Sequence, residues 1–222
     1  MILYENDLRT NNAFIHYETK NDSFIRLSIV LKRMGIKNHS FFLALHQPEL
    51  KNINPWDPNL DLSTKGRILY ECMHNCWYFF REVLKIPSPG GDPIPFLLSR
   101  GNLAAMWAFF NDIDYSWIQP RQTGKTYGTQ AIMAYMMNIL AENMSIGLFT
   151  KDSALVQDNV ARLKELRDMG IPSWMIQRST KDWDRKEGIS YAAKKNYYKT
   201  FTAAIDERSA YKLGRKLQHC GA

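Results

Sequence analysis

Between Tyr115 and Met169 the chain alternates twice between a short β-prone run and a longer run with helical spacing of apolar residues. Tyr115-Ser116-Trp117-Ile118-Gln119 leads into Pro120-Arg121-Gln122-Thr123-Gly124-Lys125-Thr126, and Tyr127 to Leu140 then carries an apolar stripe. Met144 to Phe149 reads as a second strand, Lys151-Asp152-Ser153 as a turn and cap, and Ala154 to Met169 as a second helix with charges on its outer face. Parallel neighbours cannot be joined by a tight turn and need a crossover helix, so this order predicts an α/β fold with a parallel sheet and flanking helices.

The junction of the first strand and helix carries the chemistry. Holding a nucleoside triphosphate requires backbone N–H groups aimed at phosphate, an ammonium bridging the β and γ oxygens, and a hydroxyl on the metal side. Gly124 allows close backbone approach, Lys125 supplies the ammonium and Thr126 the hydroxyl. The pattern GxxxxGK[ST] would place its first glycine at position 119, where this chain has Gln119. Gln119, Pro120, Arg121, Gln122 and Thr123 must therefore build the front of the loop. A basic turn that merely caps a helix is the bland alternative.

Elsewhere the pattern is coarser. Phe24, Leu27, Val30, Leu31 and Met34 are spaced for a helix that stops at Gly35, and residues 1–50 read as a mostly helical N-terminal appendage. Pro55 and Pro58 mark an extended connector. Ile68, Leu69, Cys72, Cys76, Phe79, Phe80 and Val83 predict one helix over 64–84, capped by Ser63 or Thr64. The stretch from Pro87 to Pro93 reads as a loop, and Arg100 to Asn111 as a helix burying Leu103, Met106, Trp107 and Phe110. Ile189 to Ala193 and Tyr197 to Ile205 form a β-hairpin about Lys194-Lys195-Asn196.

Composition bounds the function classes. With 222 residues, 45% of them hydrophobic, the chain fills one sizeable core, so residues 51–222 read as one main domain. The formal charge of +7 suits a polyanionic partner. Three cysteines form no disulfide framework, and Cys72 and Cys76, four apart on a helix without a second ligand pair, read as core rather than zinc ligands. No apolar run reaches the length of a membrane span, and no signal core follows Met1.

The loop Pro120 to Thr126 resembles the deviant Walker A of the large terminase subunits of tailed bacteriophages, in which an arginine precedes Gly-Lys-Thr. Upstream, Asn54-Pro55-Trp56, Trp77 to Val83 and Ile94-Pro95-Phe96 resemble that family's adenine side. Downstream, Thr150-Lys151-Asp152, Arg162-Leu163-Lys164 and Ile171-Pro172-Ser173-Trp174 resemble the segment after its second strand. The resemblance spans roughly residues 52 to 217 and implies a RecA-like P-loop NTPase that binds ATP with Mg²⁺. It implies catalytic roles for Lys125 and Arg121, the latter as a γ-phosphate sensor or cis-acting arginine finger, with Gln122 lining the loop and Ile94 to Asn102 near adenine. It further implies a motor that works as a homo-oligomer on double-stranded DNA without sequence preference, with portal and small terminase subunit as partners, in the host cell cytoplasm.

Two points stay open at this level. An apolar run ending in acids, Thr202 to Asp206-Glu207, has the outline of a Walker B, but Ala210 to Arg215 resembles a segment that precedes that motif in the family, so the resemblance implies that the true Walker B lies past Ala222 and that the ATPase domain 51–222 is incomplete at its C-terminus. The family's nuclease is not in these residues. Competing readings are a helicase-like ATPase, whose motifs are not found, and a non-hydrolysing nucleotide-binding assembly module.

Overall fold

Four pieces of chain pair into the sheet that organises the second half of the molecule, and a helical layer rich in aromatic residues forms the first half. The structure, a computed structural model, describes residues 5–10, 12–88, 90–120 and 124–202. The elements run α1 (Glu5–Thr10), β1 (Phe14–Ile15), α2 (Asp22–Arg33), β2 (Ala44–Leu45), α3 (Leu62–His74), α4 (Cys76–Tyr78), β3 (Lys85–Ser88), β4 (Gly91–Pro95), α5 (Arg100–Phe110), α6 (Lys125–Tyr135), β5 (Ser145–Thr150), α7 (Ser153–Met169), β6 (Asp184–Arg185), β7 (Gly188–Tyr191) and β8 (Asn196–Thr202).

The N-terminal helix α2 buries Phe24, Leu27 and Leu31 and places Asp22 in its first turn and Lys32 and Arg33 in its last, each matched to the helix dipole. It stops at Gly35, whose φ of +77° suits a residue without a side chain. Its apolar face joins Phe42, Leu43 and Leu45 in the same core as Trp77, Phe80 and Tyr135.

Residues 64–84 are not one continuous helix. Asp61, not Ser63 or Thr64, caps α3, its carboxylate accepting from Thr64 N at 2.6 Å. The helix then breaks at Asn75, which begins α4 by accepting from Tyr78 N at 3.3 Å and donates to Ala44 O at 2.8 Å. An asparagine satisfies both chain ends there at once, which side-chain periodicity does not reveal. After α4 the backbone widens, Leu84 N donating to Phe79 O.

The stretch from Pro87 to Pro93 is likewise not a loop throughout. It belongs to the two-stranded antiparallel hairpin β3–β4, with Lys85 opposite Pro95 and Ile86 opposite Ile94. Proline is tolerated because neither strand has a second neighbour among the described residues. Trp107, expected inside, is 37% exposed on α5, whereas Leu103 and Met106 are buried.

The main sheet has the order β5-β8-β7-β6 and is mixed rather than parallel. β5 and β8 run parallel, from Ser145 opposite Tyr197 to Thr150 opposite Thr202, joined through α7. The connections β6–β7 and β7–β8 are too short for a crossover, so both pairs are antiparallel. The expected hairpin about 194–196 is present, with Lys195 in the left-handed region at φ 55°. α7 covers one face through Val156, Val160, Leu163 and Leu166, starts at Asp152, whose carboxylate accepts from Leu155 N, and ties to β6 by a bidentate Arg167–Asp184 pair.

Tyr115 to Gln119, expected as the strand ahead of the loop, lies in no sheet. Ile118 is 91% exposed, whereas Trp117 rests on α6 at Gly128 and Gln119 on α5 at Gly101. Two glycines offer seats on helices, and the large side chains of the run take them instead of strand neighbours. Among the described residues no helix is long and apolar enough to cross a membrane.

Candidate functional site

The N-terminal end of α6 carries the residues expected to hold phosphate. Gly124 sits at the helix cap with φ +80° and ψ 8°, a left-handed conformation that a residue with a Cβ adopts at a cost. The first intrahelical bond runs from Gly128 N to Gly124 O at 2.9 Å, which leaves the N–H groups of Lys125, Thr126 and Tyr127 without an acceptor inside the helix. Lys125 is exposed, and no ion pair or hydrogen bond among the described residues engages its ammonium. Thr126 is half-buried beside it. Arg121, Gln122 and Thr123 lie outside the described residues, as do Asp206 and Glu207.

The approach to this end is built from α5. Ser99 caps α5 by accepting from Asn102 N at 3.2 Å, and Arg100 stands exposed in its first turn. Asn102 is almost fully buried, and its Oδ1, which has no hydrogen-bond partner among the described residues, lies beside Gly128. Gln119 crosses the start of α5 so closely that a methyl group on Gly101 would overlap its side-chain amide. The helix ends α5 and α6 are thus tied together through the segment 117–120, with Pro120 exposed at its end.

Of the region expected near adenine, Phe96 and Leu98 are core residues, while Ile94 and Leu97 are exposed ahead of Ser99 and Arg100. Sequence reasoning did not single out Asn102, Gly101 or Gly128 as single residues. Gly101 and Gly128 do interrupt helical runs without ending them, which signals close approach of another group.

The downstream residues serve structure. Asp152 caps α7, and Thr150 Oγ1 donates to Asp152 O at 3.2 Å. Trp174 Nε1 donates to Pro55 O and Trp56 Nε1 to Val83 O, which pins the connector near 55 to the body. Cys72 and Cys76 are fully buried free thiols, and burial pushes both thiols well above their ordinary range, so neither is a reactive nucleophile.

A scan of the chain against protein-family models finds no match, and a search of curated proteins finds none either.

Proposed function

We propose that the chain is the ATP-binding region of a DNA-packaging motor of the large terminase kind, which binds Mg²⁺–ATP at Gln119 to Thr126 and couples it to translocation of double-stranded DNA into a procapsid. The observation that carries this reading is the left-handed Gly124 at the head of α6, which presents an exposed Lys125, Thr126 and three helix-end N–H groups in one place. Those groups fit a polyphosphate: the amides and ammonium are donors, and Thr126 offers a hydroxyl for the magnesium side. ATP supplies the anhydride whose hydrolysis drives the motor. Lys125 holds its phosphates by charge, Gly124 keeps the backbone open to them, and Arg121 is assigned to the γ end by the terminase resemblance alone. Portal protein, small terminase subunit and further copies of the chain are the partners of this reading, and its place is the host cytoplasm.

A second reading is a nucleotide-binding assembly module that does not hydrolyse. Its support is the position of residues 113–120 outside the sheet, so that no described strand ties the loop to β5 or β8. A helicase-like ATPase has no comparable support.

The test is titration of Mg²⁺–ATP by calorimetry, with turnover assayed in parallel. Lys125→Ala is expected to abolish binding while leaving the thermal unfolding curve in place, because the side chain meets no core residue. Wild-type affinity in Lys125→Ala overturns the phosphate-loop assignment, and steady ATP turnover by the intact chain removes the non-hydrolysing alternative.

A further inference from the structure

α7 covers one face of the four-stranded sheet, and on the opposite face Gly147, Phe149, Tyr197 and Lys199 of β5 and β8 are exposed, whereas Gly188 and Ser190 of β7 are buried. Side chains alternate along β8: Asn196, Tyr198 and Thr200 are buried towards the helices, whereas Tyr197, Lys199 and Phe201 point the other way. The register carries that outer set across the sheet. Phe149 lies opposite Phe201, Gly147 opposite Lys199, Lys199 opposite Gly188, and Gly188 opposite Arg185. The outer face therefore has a central row Gly147–Lys199–Gly188–Arg185, in which Gly147, Lys199 and Arg185 are exposed and Gly188 is buried against β8.

Aromatic rings flank that row. Phe149 and Phe201 stack at 5.4 Å with a 25° tilt, and Trp183 and Tyr197 stack at 6.4 Å with the same tilt. Arg185 lies 5.0 Å over the Trp183 ring. Phe149 and Tyr197 remain 43% and 42% exposed, so each pair presents ring surface to solvent. The nearest acids are turned elsewhere or sit at the rim: Asp184 points to Arg167, Asp182 receives Ser179 N and Ala192 N, and Glu187 stands in the β6–β7 turn.

We propose that this open sheet face binds single-stranded nucleic acid, with bases stacked on the Phe149–Phe201 and Tyr197–Trp183 pairs and phosphates drawn to Lys199 and Arg185. Unpaired bases have free π-faces for such rings, and a strand laid across the exposed outer positions of β5 and β8 brings its backbone to Lys199. A duplex has its base faces occupied by stacking and cannot use the aromatic pairs. A peptide strand would use the rings but has no systematic negative charge for the row of cations. The inference goes beyond the nucleotide-binding reading and does not depend on it, since the face lies across the sheet from α7.

The experiment measures fluorescence anisotropy of a labelled oligothymidylate of about 12 nucleotides, and of its duplex with oligoadenylate, against the full chain. The expected result is preference for the single strand, affinity that falls as salt rises, and quenching of tryptophan emission on binding. Phe149→Ala and Tyr197→Ala are each expected to weaken single-strand binding by about tenfold, and Lys199→Glu more. Circular dichroism checks the fold, and because Lys199 is exposed, its variant keeps the test decisive if an aromatic variant unfolds. Lys125→Ala is expected to bind the oligonucleotide like wild type, which separates this outcome from failure of the nucleotide site. No binding, equal or tighter binding of the duplex, or binding indifferent to Phe149→Ala and Lys199→Glu overturns the proposal. So does a concentration-dependent dimer in sedimentation that Tyr197→Ala dissolves, which would assign the face to a second copy.

Discussion

Trp117 is seated on Gly128: a methyl group at position 128 would stand 2.7 Å from Cη2 of the indole and 3.2 Å from Asn102 Oδ1. The first turns of α6 and the segment around Trp117 are therefore one packed unit, and small changes at 128 reach that segment.

Gly128→Ala is accordingly expected to destabilise the fold by about 1–3 kcal/mol, because an indole has no flexible end to withdraw. Gly66 in α3 is the contrasting case, with nothing within 4 Å of the added methyl. Gly66→Ala should raise stability by roughly 0.5–1 kcal/mol through helix propensity alone. Urea unfolding of the two variants checks the pair, and opposite signs are the expected outcome.

For Arg121 the terminase resemblance predicts a division between binding and rate. Arg121→Ala should keep most of the Mg²⁺–ATP affinity and lose turnover, since a contact that strengthens as charge grows on the γ-phosphate acts on the rate. Isothermal titration together with single-turnover assays separates the two. A loss of affinity with no further loss of rate would reduce Arg121 to a phosphate holder.

Glu71 is a fully buried carboxylate that accepts from His46 N at 3.0 Å, Gln47 N at 2.9 Å and Asn75 Nδ2 at 2.8 Å. Glu71→Ala removes the acceptor of two part-buried backbone N–H groups and of one hydrogen of the buried Asn75 amide, whose other hydrogen still reaches Ala44 O, and a loss of about 2–3 kcal/mol is expected in chemical denaturation. Glu71→Gln keeps one acceptor oxygen and should cost less.

His16 gives a pH dependence. Burial first, and then the nearby Arg81 charge, hold its imidazole below the ordinary 6.5. Below that value the unfolded chain binds a proton that the folded chain resists, so stability falls as pH drops through about 6.5 and levels off once the folded-state value is passed. His16→Phe should flatten this part of the profile. Denaturation midpoints compared between roughly pH 5 and pH 7 decide it, and an unchanged slope would assign the dependence to other groups.

The sequence discloses elements whose apolar spacing coincides with their burial. Phe24, Leu27 and Leu31 foretell α2, Leu103 and Met106 foretell α5, and Lys195 marks the β7–β8 turn. Position 115–119 misleads because Trp117 finds its seat on α6 at Gly128 and Gln119 crosses α5 at Gly101, contacts that arise only when the helices are in place. The split between α3 and α4 turns on a single asparagine bonding Ala44, thirty-one positions away, which no local pattern contains. At the candidate site, Gly124, Lys125 and Thr126 are legible because their chemistry is tied to spacing. Asn102 is not, since its place beside Gly128 arises only when α5 and α6 meet.

Asn196 closes the helical stretch Met136–Leu140 that continues α6. Its amide donates to Met137 O and Ala141 O at 2.8 Å each, its oxygen accepts from Met144 N at 2.9 Å, and midway Gln130 Nε2 donates to Asn159 Oδ1 at 3.1 Å. The helix is thus clamped at the end remote from Lys125 and held to α7 along its side. Lys125 and the first residue of β8 thus stand at opposite ends of one braced element, and β8 is the strand whose outer side carries Tyr197, Lys199 and Phe201.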